Sequence, residues 1–191
     1  MSSSTKSTTT DLAYIAVFAA LIIVMAFVSI PVGTAGVPIV MQNAMIILAG
    51  LILGGRRGFL ATALFLLLGI VGIPVLAGGR STLAALAGPT VGYLVGYLIS
   101  AWVAGIIAYR SPRAKGPMTA IMIAAGIAGL AIQYICGVVG LIARAHLSFG
   151  AALAAQVPFL LPDFIKIVVA ALIAVAVHSA FPDLIARRAR R

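Results

Sequence analysis

The chain contains no glutamate, one cysteine, one tryptophan and three acidic residues in 191, and 8% of its residues are charged. Ordinary soluble domains carry about 25% charged residues. Three acids and thirteen bases cannot cover the solvent-facing surface that a compact chain of this length retains, so a soluble globular fold is excluded and the surrounding solvent is lipid. The lone Cys136 excludes an intrachain disulfide and reads as a small apolar side chain. There is no G-x-x-x-x-G-K-[ST] phosphate loop, so any ATP-driven work belongs to another chain. His146 and His178 have no cysteine or acid at ligand spacing, which gives neither a metal site nor a cofactor site. Ser81 follows Gly79 and Arg80 without a G-x-S-x-G frame, and His146 is far along the chain, so no enzyme is expected.

What is abundant is apolar sequence, at 63% of residues. A bilayer is crossed by about 20 apolar residues, and six stretches approach that length: Leu12 to Ile30, Pro38 to Gly54, Gly58 to Leu76, Leu83 to Tyr109, Met118 to Ala143 and Pro158 to Phe181. The first is longer than the roughly 7–15 residues of a signal-peptide core and reads as a span. All nine prolines fall in or near the breaks, where a missing N–H does least harm. The expected architecture is therefore an all-α, polytopic membrane protein with six transmembrane helices. Residues 1–10 read as a disordered tail, 11–185 as a single membrane domain and 186–191 as a basic tail.

The net charge of +10 resolves into orientation. Lys6, Arg56, Arg57, Arg110, Arg113, Lys115, Arg187, Arg188, Arg190 and Arg191 share one side of such a topology, and Arg80, Arg144 and Lys166 the other. Cytoplasmic loops carry the excess of bases, so both termini are expected inside. Dispersed among short loops, these bases form no nucleic-acid patch.

Segment four carries Gly88, Gly92, Gly96, Ser100, Ala104 and Ala108 at every fourth position, a small-residue stripe that lets two helices approach closely. Polar groups gather toward the outer third. Asp163 and Lys166 lie three residues apart on one helix face. Arg80 sits in a glycine-rich break, Gln42 and Asn43 enter segment two, Thr90 and Tyr93 enter segment four, and Gln133 and Tyr134 lie in segment five. Ionisable groups inside a bilayer cost about 2.5–3.5 kcal/mol each. Either Asp163 and Lys166 neutralise each other structurally, or these groups converge on a small-molecule site. Arg80 and Lys166 against Asp163 leave one positive charge, suited to a monoanion with an apolar body.

These stretches resemble the biotin-specific S-component family, BioY, of the energy-coupling-factor vitamin transporters. The resemblance runs through Pro38 to Gly54, the turn Gly55-Arg56-Arg57-Gly58, Gly69 to Pro74, Gly78-Gly79, the run Gly88-Pro89-Thr90-Val91-Gly92-Tyr93, and Pro162-Asp163 with Lys166. It implies a six-helix protein of the cell membrane that captures biotin from outside. It also implies a transmembrane scaffold and two ABC-type ATPases as partners, with Ala16 and Ala20 as the scaffold-docking motif. Gln42, Asn43, Thr90, Asp163 and Lys166 would hold the ligand, Arg80 would act as a lid residue and Tyr93 would pack on its ring. An S-component for another small anionic vitamin and a carrier coupled to protons through Asp163 are the alternatives.

Overall fold

The computed structural model describes residues 3–30, 39–112, 114–182 and 184. Pro31, Pro38, Arg113, Asp183 and the tail bases Arg187, Arg188, Arg190 and Arg191 lie outside the described residues, as does the side chain of Lys6. The described chain is built of helices α1 (Ser3–Ala26), α2 (Gln42–Leu53), α3 (Gly55–Ile70), α4 (Thr82–Leu86), α5 (Val91–Ala108), α6 (Lys115–Ala145), α7 (Phe149–Ala154) and α8 (Val157–Ala180). One short antiparallel pair, β1 (Ser29–Ile30) with β2 (Ile39–Val40), joins α1 to α2. Apart from that four-residue clasp the described chain is all-α, as the sequence leads one to expect. Helix α1 begins within the Ser/Thr-rich stretch that composition marks as a disordered tail.

By length and hydropathy, four described helices can cross a bilayer: α1 over Thr8–Ala26, α5, α6 and α8. Helices α2 and α3 have 12 and 16 residues. At about 1.5 Å per residue they fall short of a hydrocarbon core of about 30 Å. Helix α2 tolerates this because every one of its residues except Asn43 is buried. A helix apolar all round belongs to the interior, and backbone ends enclosed by protein need not reach the headgroups. Gly54 (φ 81°) separates α2 from α3, a turn that a residue with a Cβ would adopt only under strain.

Segment four is not one helix. Gly88, Pro89 and Thr90 interrupt it between α4 and α5, because proline offers no N–H to the turn before it and holds the preceding residue out of the helical region. Gly88 therefore falls outside the stripe, whose helical part is Gly92, Gly96, Ser100, Ala104 and Ala108 on α5. The partner of the stripe's first turns is α6 of the same chain. A Cβ on Gly92 would strike the Cys136 carbonyl and lie 2.8 Å from Gly140 Cα, and one on Gly96 would lie 3.0 Å from Gln133 Cα. A second face of α5 meets α2 and α3, where Gly50 abuts Ala101 and Gly105 abuts Gly54 and Gly55.

These contacts also sort the two ends of the bundle. At one end the α2–α3 turn lies against Tyr109, whose hydroxyl donates to the Ile52 carbonyl at 2.7 Å. His178 near the end of α8 reaches the Leu51 carbonyl at 2.9 Å and meets Tyr109 edge-on. Asp11 of α1 pairs with Arg57 at 2.6 Å. The bases Arg56, Arg57, Arg110 and Lys115 thus belong to this end, while Arg80 and Arg144 belong to the other, where Arg144 donates to the Leu86 carbonyl at 3.3 Å.

Candidate functional site

At the second end the helices do not close. The start of α2, the start of α5, the middle of α6 and the first half of α8 surround a cavity of about 530 Å³. The loop from Leu76 to Arg80 roofs it. That loop folds back on itself through a Leu76 N–H to Arg80 carbonyl bond of 2.9 Å. Gly78 and Gly79, at φ 74° and 71°, allow the reversal. Its root is tied to the core by Gln42, whose Nε2 donates to the Val75 carbonyl at 2.8 Å and to the Ile22 carbonyl at 3.3 Å.

All seven residues singled out as ligand contacts, Gln42, Asn43, Arg80, Thr90, Tyr93, Asp163 and Lys166, line this cavity, as do Gln133 and Tyr134. Their states differ. Lys166 Nζ lies 2.5 Å from Asp163 Oδ1 and donates to the Val40 carbonyl at 2.7 Å and to Asn43 Oδ1 at 3.0 Å. An ammonium has three N–H groups, so each of them has a protein acceptor. Asp163 is held on its other side, where the Tyr134 hydroxyl donates to Oδ2 at 2.7 Å. Both groups are nearly enclosed, with side-chain exposures of 8% and 5%. The pair is thus internally balanced while still forming part of the wall.

Arg80 is exposed at the cavity mouth and is in neither of the two ion pairs found among the described residues. Among the described residues the cavity therefore carries one cation with no counter-charge at its entrance. The Thr90 hydroxyl is a second unsatisfied group, buried and without a hydrogen-bond partner among the described residues. Such a group is costly unless something else pairs with it.

Tyr97, Gln156 and Phe159 also line the cavity, and sequence reasoning did not single them out. Tyr97 sits one helical turn beyond Tyr93, a spacing that would have revealed the shared face. Gln156 accepts the Tyr93 hydroxyl at 2.7 Å and is itself buried. It precedes α8 in the α7–α8 connection, outside any periodic pattern, and an amide in an apolar stretch was its one signal. The docking pair Ala16 and Ala20 is elsewhere: both are exposed on α1, whose buried contacts are Ala19, Ile22 and Ala26.

Chemically, the site joins an apolar chamber to a set of oriented amides and hydroxyls and to the Arg80 guanidinium, which is in no ion pair among the described residues. Its volume lies within the roughly 300–1,000 Å³ typical of small-molecule sites.

Comparison with known proteins agrees in kind. A family model described as the BioY family matches residues 1–183. A protein of Rhizobium etli named biotin transporter BioY is 39% identical over 184 residues, which cover 94% of this chain and 98% of that one. One of the same name from Rhodobacter capsulatus is 40% identical over 184 residues, covering 91% of this chain and 96% of that one. The crystal structure of an S-component for biotin from an ECF-type ABC transporter superposes with a TM-score of 0.80 at 26% identity. The match covers 94% of this chain and 95% of that one.

Proposed function

The chain belongs to the BioY family, and from that premise we propose that it is the membrane-embedded biotin-binding S-component of an ECF-type transporter, with the cavity between α2, α5, α6 and α8 as its biotin site. It carries a vitamin and catalyses no reaction. The observation that carries the site assignment is the charge arrangement: Lys166 and Asp163 cancel each other, whereas Arg80 at the mouth has no counter-charge among the described residues. Biotin is a monoanion with a cyclic urea at the far end of an apolar tail. The arrangement favours the carboxylate at Arg80, whose planar fork suits it. The ureido ring then lies among Gln42, Asn43, Gln133 and the Asp163–Lys166 pair, with Thr90 as a further hydrogen-bond partner and Tyr93 against the ring. Proton coupling through Asp163 loses support, because both carboxylate oxygens already have partners.

The fold is read as six spans, α1, α2, α3, α5, α6 and α8, in a multi-pass protein of the cell's inner membrane. The excess of bases at the Tyr109 end supports a cytoplasmic location for that end and for both termini. The cavity then opens outward, as capture of an external vitamin requires. Energy for inward delivery comes from an ECF transmembrane scaffold and two ABC-type ATPases, consistent with the missing phosphate loop. Ala16 and Ala20, small and exposed on α1, suit close approach of a scaffold helix.

Equilibrium binding of labelled biotin to purified variants tests the site. Arg80→Ala should weaken binding about ten- to hundredfold, the range of a hydrogen-bonded charge, and Asp163→Asn should weaken it as well. Unchanged affinity in both removes the assignment.

A further inference from the structure

Within the small-residue face of α5, Ser100 is the one polar member among Gly92, Gly96, Ala104 and Ala108. Close helix packing asks for small size there, which glycine and alanine also supply, and a buried serine hydroxyl must in addition find hydrogen-bond partners. Ser100 is fully buried and does not line the cavity. Its Oγ donates to the Tyr97 carbonyl at 3.0 Å and accepts from Gln133 Nε2 at 3.0 Å. The same Nε2 donates to the Asn43 carbonyl at 3.3 Å.

The chemistry of these partners fixes which way the amide faces. A backbone carbonyl can only accept, so the atom beside it must be the amide nitrogen. The Ser100 hydroxyl gives its hydrogen to Tyr97 and is left as an acceptor, which again requires the nitrogen. Both amide hydrogens of Gln133 thus have protein acceptors. What Gln133 offers to the cavity it lines is Oε1, an acceptor. A free amide could turn to present either group and would suit donor or acceptor ligands alike. A locked one favours N–H donors and leaves a ligand oxygen facing an oxygen.

We propose that Ser100 is a positioning residue for ligand selection: by holding the Gln133 amide in one orientation, it makes the cavity read an N–H donor of a cyclic urea. The inference rests on the biotin reading of the cavity, whose ureido ring supplies such donors.

The test compares biotin with its two cyclic-carbamate analogues, each with one ureido N–H replaced by ring oxygen, in equilibrium binding to purified wild type, Ser100→Ala and Gln133→Met. Wild type should prefer biotin over one analogue by about tenfold or more, as expected where a buried acceptor loses its donor. In Ser100→Ala that preference should fall to about threefold or less, because only the longer 3.3 Å bond to the Asn43 carbonyl then restrains the amide, and turning it to donate to the analogue's oxygen no longer costs the Ser100 bond. Gln133→Met, which removes the acceptor, should bring the ratio to the same low value. The proposal is overturned if both affinities fall together in Ser100→Ala with the ratio unchanged, which is what a packing role produces. It is also overturned if the Gln133→Met ratio stays at the wild-type value, or if wild type binds biotin but discriminates against neither analogue. Failure of wild type to bind biotin removes the underlying reading and this inference with it.

Discussion

Asp163→Asn removes the carboxylate that balances Lys166, and the consequence can be worked from the geometry. The ammonium keeps the Val40 carbonyl at 2.7 Å and Asn43 Oδ1 at 3.0 Å, both neutral acceptors, but no longer has the anion at 2.5 Å in surroundings where the pair is 8% and 5% exposed. Leaving one member of a buried ion pair uncompensated costs about 3–5 kcal/mol. For a chain of this size, at about 2–4 °C per kcal/mol, the melting temperature should drop by about 6–20 °C. Asp163→Asn with Lys166→Met removes both charges and leaves only neutral acceptors unpaired, at about 1–3 kcal/mol. The double variant should therefore melt above Asp163→Asn alone, with a coupling of at least about 2 kcal/mol between the sites once the cost of Lys166→Met is counted. Thermal unfolding in detergent, followed by far-UV circular dichroism on the four proteins of the cycle, measures this. If the two single effects add to within about 0.5 kcal/mol, the pair is not coupled and its description as an internally balanced unit is wrong.

Gly92→Leu should force α5 from α6, since a Cβ there meets the Cys136 carbonyl and Gly140. The expected loss is about 1–3 kcal/mol or more, by the same melting assay; an unchanged melting temperature would contradict the packing. Ala16→Leu with Ala20→Leu adds bulk on an exposed face of α1, so the isolated chain should keep its stability within about 0.5 kcal/mol while copurification with scaffold and ATPases is lost. In a Cys136→Ala background, an impermeant maleimide should label Ala87→Cys in intact cells and Ala114→Cys only after permeabilisation, both positions being exposed at opposite ends. The reverse pattern would invert the topology.

Charge scarcity made much of this legible. In a chain with so few ionisable residues, Arg80, Asp163 and Lys166 stood out, and the structure gathers them with Gln42, Asn43, Thr90 and Tyr93 around one cavity. The alternative of mutual neutralisation was also partly right, since Asp163 and Lys166 do pair while lining the same chamber. What sequence could not give was the three-way engagement of Lys166, which depends on the Val40 backbone and Asn43, more than 120 residues away in sequence. The breaks were legible only in part. Apolar content runs unbroken through Leu83 to Tyr109, yet Gly88-Pro89-Thr90 ends one helix and starts another, because backbone geometry overrides hydropathy there. Likewise the stretch Gly58 to Leu76 reads as one span, but α3 stops at Ile70 and the remainder forms the approach to the roof loop. The small-residue stripe announced close packing; that its partner is α6 follows only from the fold.

Under the proposed function, the cavity between α2, α5, α6 and α8 holds biotin with its carboxylate at Arg80. Native mass spectrometry of the purified chain and of Arg80→Ala, each incubated with biotin at equal concentration, tests it most directly. Wild-type protein should retain a single biotin, and Arg80→Ala protein should be largely ligand-free. Equal biotin occupancy in the two proteins, or none in the wild-type chain, would contradict it.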